Sequence, residues 1–321
     1  MLAFSNLGQR LVRNTCMIKK TNTLRSIGRR RFVLTAGAAL MVAGCSPLTA
    51  LNWTVPETGY QQIPGLAYGD DPRQVLDLYI PDTPAANAST IIFFYGGSWK
   101  NGDRAKYRFA AEAFATQGYT VAVPDYRTYP DVTFPAFVHD GASVVRWLRD
   151  NATQYDVQGE NIVLMGHSAG AHIAALLAMD RRYLEAAGVP MTAIAGLVGL
   201  AGPYDIDLLS FRSTRRVFET WPAPDDFRPT AMAITNTVPT LLLHGANDGT
   251  VPPVDTTRMA DVLGARGADV TVTVYPGTGH IGIILALAPP FRGGTANVVD
   301  DVLTFLRKQN GREDRAAAPD S

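Results

Sequence analysis

The chain has 321 residues, 46% of them hydrophobic and 18% charged, a composition that fits a soluble globular protein and excludes a disordered or fibrous one. The formal net charge is zero, but eight of the 29 basic residues lie in residues 1–44, which hold no acidic residue. The remainder carries 21 basic against 29 acidic residues, and a body that acidic argues against nucleic-acid binding, which needs clustered Lys and Arg.

In chain order, residues 1–44 read as an export signal. The stretch "GRRRFVLTAGAALMVAGCS" (28–46) has a basic cluster, a short apolar run and a small-residue end. The run is too short to span a bilayer, which takes about 20 apolar residues. Its arginines followed by Phe32 resemble the twin-arginine export motif, and "VAGC" (42–45) resembles a lipobox. The expected mature N-terminus is Cys45, carrying a lipid that holds the protein to a membrane. The expected location is the periplasmic side of a bacterial envelope, with Ser46 favouring the outer membrane. The only other cysteine, Cys16, lies in the discarded segment, so no disulfide is expected.

Residues 45–60, with three of the Pro and Gly residues, read as a tether. From 61 to 308, strands and helices alternate. Strands are predicted over 75–80 (half-buried, from its alternation), 90–95, 119–126, 161–166, 194–202, 240–245 and 270–277. Helices are predicted over 104–117, 134–149, 168–179 and 298–308. That rhythm predicts an α/β domain with a mainly parallel central sheet and helices on both faces. Residues 203–236 break it with four prolines and with Phe211, Phe218, Trp221 and Phe227. They read as a small cap whose aromatic residues would line an apolar pocket. Residues 309–321 read as a disordered tail, and there is no internal repeat.

The most informative stretch is "VLMGHSAGAHIA" (163–174). A buried strand turns at once into an apolar helix, with Ser168 at the tip and Gly166 and Gly170 two residues to either side. A turn that sharp needs flanking residues without side chains, and it leaves a hydroxyl at a helix N-terminus and a strand's carboxyl end. The pentapeptide "GHSAG" resembles the nucleophile elbow Gly-x-Ser-x-Gly of the α/β-hydrolase superfamily. Over about residues 65–308 the chain resembles its esterase branch, with carboxylesterases of the BD-FAE and kynurenine formamidase-like kind.

The resemblance implies an α/β-hydrolase fold and a triad in the chain order Ser168, Asp248, His280. Asp248 and His280 each follow a predicted strand. His280 would take the serine proton, and Asp248 would orient the imidazole. "FFYGGSW" (93–99) resembles the family's His-Gly-Gly-x-Trp loop, which implies an oxyanion hole from the N–H groups of Gly97, Ser98 and Ala169. Tyr95 stands where the family has His, as a brace for the loop. Asp205 is the alternative acid. Asp125 and Asp140 read as structural, His244 as a packed histidine, and His167 and His172 as elbow neighbours unable to reach behind the hydroxyl.

No metal-ligand spacing or phosphate loop is present, so no cofactor is expected. The expected function is hydrolysis of short-chain or aryl carboxylic esters, small molecules cleaved through an acyl-enzyme. The alternatives are an arylformamidase-like amidase and, from another class, a non-catalytic envelope lipoprotein that binds a ligand.

Overall fold

The computed structural model describes residues 47–317. The expected export signal, lipobox and Cys45 lipid site lie outside the described residues. Everything below concerns the compact unit that starts at residue 46.

Eight strands form one sheet in the order β1-β2-β4-β3-β5-β6-β7-β8. They are β1 (Tyr60–Ala67), β2 (Val75–Pro81), β3 (Thr90–Phe94), β4 (Val121–Pro124), β5 (Ile162–His167), β6 (Ile194–Leu200), β7 (Thr240–Gly245) and β8 (Val270–Tyr275). Strands β3 to β8 run parallel, while β2 is antiparallel to both β1 and β4. The runs TIIFF, IVLMGH and TLLLHG are buried at every position, as parallel strands covered on both faces must be. Two groups of helices pack around the sheet. One pairs α2 (Arg108–Ala115) with α9 (Val298–Ala317). The other joins α3 (Ala136–Tyr155), α4 (Ala169–Met179) and α5 (Arg181–Ala186). The fold matches the layered, mainly parallel sheet read from the strand–helix rhythm.

One strand escapes the sequence reading, and three local expectations need correction. Strand β1 was not legible, because YQQIPGLA is mostly exposed and contains Pro64, which only an edge strand tolerates. Strand β2 is not half-buried: Leu76, Leu78 and Tyr79 are fully covered, and Asp77 is buried because Arg104 Nε reaches it at 2.7 Å. The segment read as a tether contains a short helix, α1 (Pro47–Asn52). Asn52 ties it down by donating to the Ala105 carbonyl at 2.6 Å and accepting from the Phe109 N–H at 3.2 Å. The segment read as a disordered tail continues α9 as far as Ala317. Gln309 and Asn310 are buried, and the Asn310 amide bonds Ser89 Oγ at 2.9 Å. Packing of Leu306 and Phe305 thus carries a polar run into the helix that its composition alone would not hold.

Candidate active site

Ser168 sits between β5 and α4 with φ +55° and ψ −122°, a conformation that L-residues avoid unless their surroundings impose it. The imposition is visible on the backbone. The Ser168 N–H donates to the Leu200 carbonyl at 2.9 Å, and the His172 N–H donates to the Ser168 carbonyl at 3.1 Å. The two flanking glycines are sterically required. A Cβ on Gly166 would lie 2.3 Å from Gly170 C, and one on Gly170 would lie 2.0 Å from the Phe94 carbonyl oxygen.

The three residues spaced along the sequence meet here. His280, the first residue of α8 (His280–Leu285), has Nε2 2.9 Å from Ser168 Oγ and Nδ1 2.7 Å from Asp248 Oδ2. Asp248 lies in the turn between β7 and α7 (Pro253–Gly264), where its Oδ1 accepts N–H bonds from Thr250 at 2.8 Å and Val251 at 2.9 Å. Burial pushes this carboxyl's pKa up. The Val251 N–H, His280 and the Thr250 N–H together outweigh it and hold the group below the usual carboxylate range. An ionised Oδ2 makes Nδ1 of His280 the donor and leaves Nε2 free to accept the Ser168 proton.

Gly97, Ser98 and Trp99 all have positive φ, at +143°, +54° and +58°. This coil is closed by Lys100 and Asn101 N–H groups donating to the Gly97 carbonyl, and a Cβ on Gly97 would fall 1.9 Å from Asn101 O. Ser98, Ala169 and Ser168 border one cavity of about 120 Å³, and Gly97 stands immediately before it in the loop. Tyr95 is buried beneath this loop, its ring stacked on Tyr107 and Tyr126 with centroids 5.1 and 4.9 Å away. Its hydroxyl donates to Asp125 Oδ1 at 2.6 Å and accepts from Arg73 Nη2 at 3.0 Å. A phenol thus packs beneath the loop at the position where the resemblance implies an imidazole, and burial pushes its pKa further up, so it stays protonated.

The competing residues lie elsewhere. Asp205 pairs with Arg258 and Thr230, not with His280. Asp125 and Asp140 hold arginines: Asp125 takes Arg104 at 2.6 Å, and Asp140 takes Arg127 at 2.7 Å. Two histidines do more than the sequence indicated. His167 Nε2 donates to the His280 carbonyl at 3.0 Å, fixing that residue's main chain. Burial drives its own pKa down to about 3, so it serves as a neutral strut. His244 lies 3.1 Å from Asp248 Oδ2. No sequence signal marks either one: the His167 contact spans 113 residues, and the His244 contact, though only four residues long, depends on how the turn after β7 folds back.

The cap contributes differently from expectation. Pro203, Ile206, Leu208, Phe211, Ser213 and Thr214 border the cavity, but of the four aromatic residues only Phe211 does. Phe218 and Phe227 are buried against each other and against Phe134, and Trp221 packs edge-on to Phe134. Phe218 also stacks edge-on to Trp99 at 4.8 Å, joining residues 203–236 to the Gly97–Trp99 loop. Lys100 adds a second link by donating to the Ser213 carbonyl. Among the described residues, no group of three or more His, Cys, Asp or Glu could hold a metal ion.

The BD-FAE family model matches residues 76–263, more than half of the chain. The chain belongs to the BD-FAE family. This BD-FAE chain is 31% identical over 281 residues to a probable isoprenylcysteine alpha-carbonyl methylesterase of Oryza sativa, covering 81% of this chain and 67% of that protein. It is 30% identical to the esterase LipC of Mycobacterium tuberculosis, over 66% of this chain and 58% of the other. It is 27% identical to the kynurenine formamidase of Drosophila melanogaster, over 75% and 79%. The chain therefore spans about two thirds or less of the length of the plant and mycobacterial relatives. Esterase B from Lactobacillus rhamnosis shares the fold, with a TM-score of 0.72 over 90% of this chain and 99% of that one at 21% identity. Family and relatives place this α/β-hydrolase-fold chain among the esterase-type carboxylic ester hydrolases.

Proposed function

We propose that the chain hydrolyses short-chain carboxylic esters through an acyl-enzyme on Ser168. The observation that carries this reading is the continuous hydrogen-bonded line Ser168–His280–Asp248 opening on a cavity edged by Ser98 and Ala169. His280 Nε2 takes the hydroxyl proton as Ser168 Oγ bonds to the ester carbonyl carbon, whose oxygen becomes the oxyanion. The N–H groups of Gly97, Ser98 and Ala169 are the proposed donors to that oxyanion, and Asp248 stabilises the imidazolium. Collapse breaks the carbon–alkoxy bond, and the leaving alcohol takes the proton from His280. Water then repeats the attack on the acyl carbon and frees Ser168.

The cavity is small, and its walls include Trp99, Ile206, Leu208, Phe211 and Val251. An apolar space of about 120 Å³ suits an acyl group of a few carbons. p-Nitrophenyl acetate and butyrate should therefore show kcat/KM at least about tenfold above the octanoate, since a chain that overfills a packed pocket loses binding it would otherwise gain. Preference for the octanoate would reject this assignment of the cavity. The same chemistry could open a formamide, as the kynurenine formamidase relative suggests, so N-formylkynurenine belongs in the same assay series. Wild type and Ser168→Ala equally inactive on every ester and on the formamide would instead favour the non-catalytic reading of the cleft. We further propose that the mature chain begins at a lipidated Cys45, supported by the arginine cluster and the Val42–Cys45 pattern. Labelled palmitate should enter the wild type and not Cys45→Ala; incorporation into both would refute it.

A further inference from the structure

The geometry points to His244 as a positioning residue for this reaction: its Nε2–H, bonded to Val251 O at 3.0 Å, also faces Asp248 Oδ2 at 3.1 Å and, shared between the two, sets the carboxylate orientation that receives His280. The inference rests on the triad reading above and deepens it.

His244 is the penultimate residue of β7 and is completely buried. Its Nε2 has two neighbours, Val251 O at 3.0 Å and Asp248 Oδ2 at 3.1 Å. Both are acceptors, so Nε2 must carry the hydrogen; a lone pair there would face two others. Its Nδ1 lies 2.7 Å from Thr256 Oγ1 on α7, which is also buried. With Nε2 protonated in a neutral ring, Nδ1 is an acceptor and the Thr256 hydroxyl is its donor. The tautomer of His244 is thus set from both ends, one of them within hydrogen-bond reach of the triad acid.

Neutrality matters as much as position. Burial lowers the pKa of His244, although the Val251 carbonyl and Asp248 oppose it. The other titratable groups around it are His280, Asp255 and His167. Asp255 is occupied in accepting the Asp205 and Ile206 N–H groups, so it does not compete for the imidazole. A charged His244 would neutralise the carboxylate that His280 needs. An uncharged donor fixes Oδ2 in place and leaves the negative charge for the imidazolium formed in the transition state. Asp248 is then held by two backbone N–H bonds on Oδ1 and two imidazoles on Oδ2.

His244→Phe keeps the ring volume and removes the donor. We expect kcat on p-nitrophenyl butyrate to fall about tenfold to 100-fold with KM within about twofold, the scale of one hydrogen bond to a charged group. The acidic limb of the kcat/KM profile should move to higher pH, because an Oδ2 that has lost a donor attracts the His280 proton more strongly. His244→Gln, whose amide can donate from a similar position, should recover most of both effects. Thr256→Val leaves His244 in place but frees its tautomer, and should shift both in the same direction by less; it decides the matter if His244→Phe does not fold. Unchanged kcat and pH limb in folded Phe and Val variants would overturn the inference. So would equal losses in Phe and Gln with an unmoved limb, which mark packing alone. A wild type inactive on every ester and on N-formylkynurenine would remove the triad reading itself, whereas an active wild type with unaffected variants removes only the role of His244.

Discussion

Ser168→Ala should lower kcat on p-nitrophenyl butyrate by about 10⁴- to 10⁶-fold, with a KM close to wild type where it can still be measured. The loss is this large because the hydroxyl is the atom that bonds to the acyl carbon, and no other hydroxyl is recorded in hydrogen-bond contact with His280 Nε2 among the described residues. The folded state should hardly notice. Alanine meets the same positive-φ penalty as serine at φ +55°, and the elbow is held by backbone bonds to Leu200 and His172 that the substitution leaves intact. Thermal unfolding should therefore overlay wild type while turnover and labelling by an alkyl phosphonate both disappear. Labelling that persists in the alanine variant would place the nucleophile elsewhere.

Asp248→Asn should cost about 10⁴-fold in kcat, and the structure gives a specific reason. The amide cannot choose its orientation. The site of Oδ1 faces two donors, the N–H groups of Thr250 and Val251, so the amide oxygen must sit there and the NH₂ must take the place of Oδ2. That NH₂ donates to His280 Nδ1 and forces its proton onto Nε2, where it points at Ser168 and cannot accept the hydroxyl proton. It also meets the His244 donor head-on. Unlike the serine variant, this one keeps its nucleophile, so phosphonate labelling should continue slowly and reach completion. A pH–rate profile should show activity climbing into the alkaline range as hydroxide replaces the lost base. A loss below about tenfold would assign the acid to another residue, and Asp205 is excluded on geometry by its Arg258 and Thr230 partners.

The histidines show where sequence reading stops. Ser168 is marked by its glycines, and Asp248 and His280 by their places after strands in the family's chain order. His167 and His244 carry no such mark: their partners lie 113 residues away in one case and on the triad acid in the other. The cap illustrates the same boundary, since four aromatic residues in a proline-rich insertion look alike as letters. Only packing against Phe134 and Trp99 turns Phe218 and Phe227 inward and leaves Phe211 at the cavity.

What the sequence determined by itself is whatever depends on local chemistry: fully apolar runs that become parallel strands, the elbow that only Gly166 and Gly170 permit, and the order of the three polar residues. The tertiary structure decided what depends on neighbours distant in the chain. It made a strand of YQQIPGLA, because an edge needs a partner on one side only, and it extended α9 through Gln309 and Asn310 because the core beside Ser89 buries them. It also brought His280 to Asp248 and Ser168, 32 and 112 residues away, so that the carboxylate beside His244 in the turn after β7 faces a second imidazole.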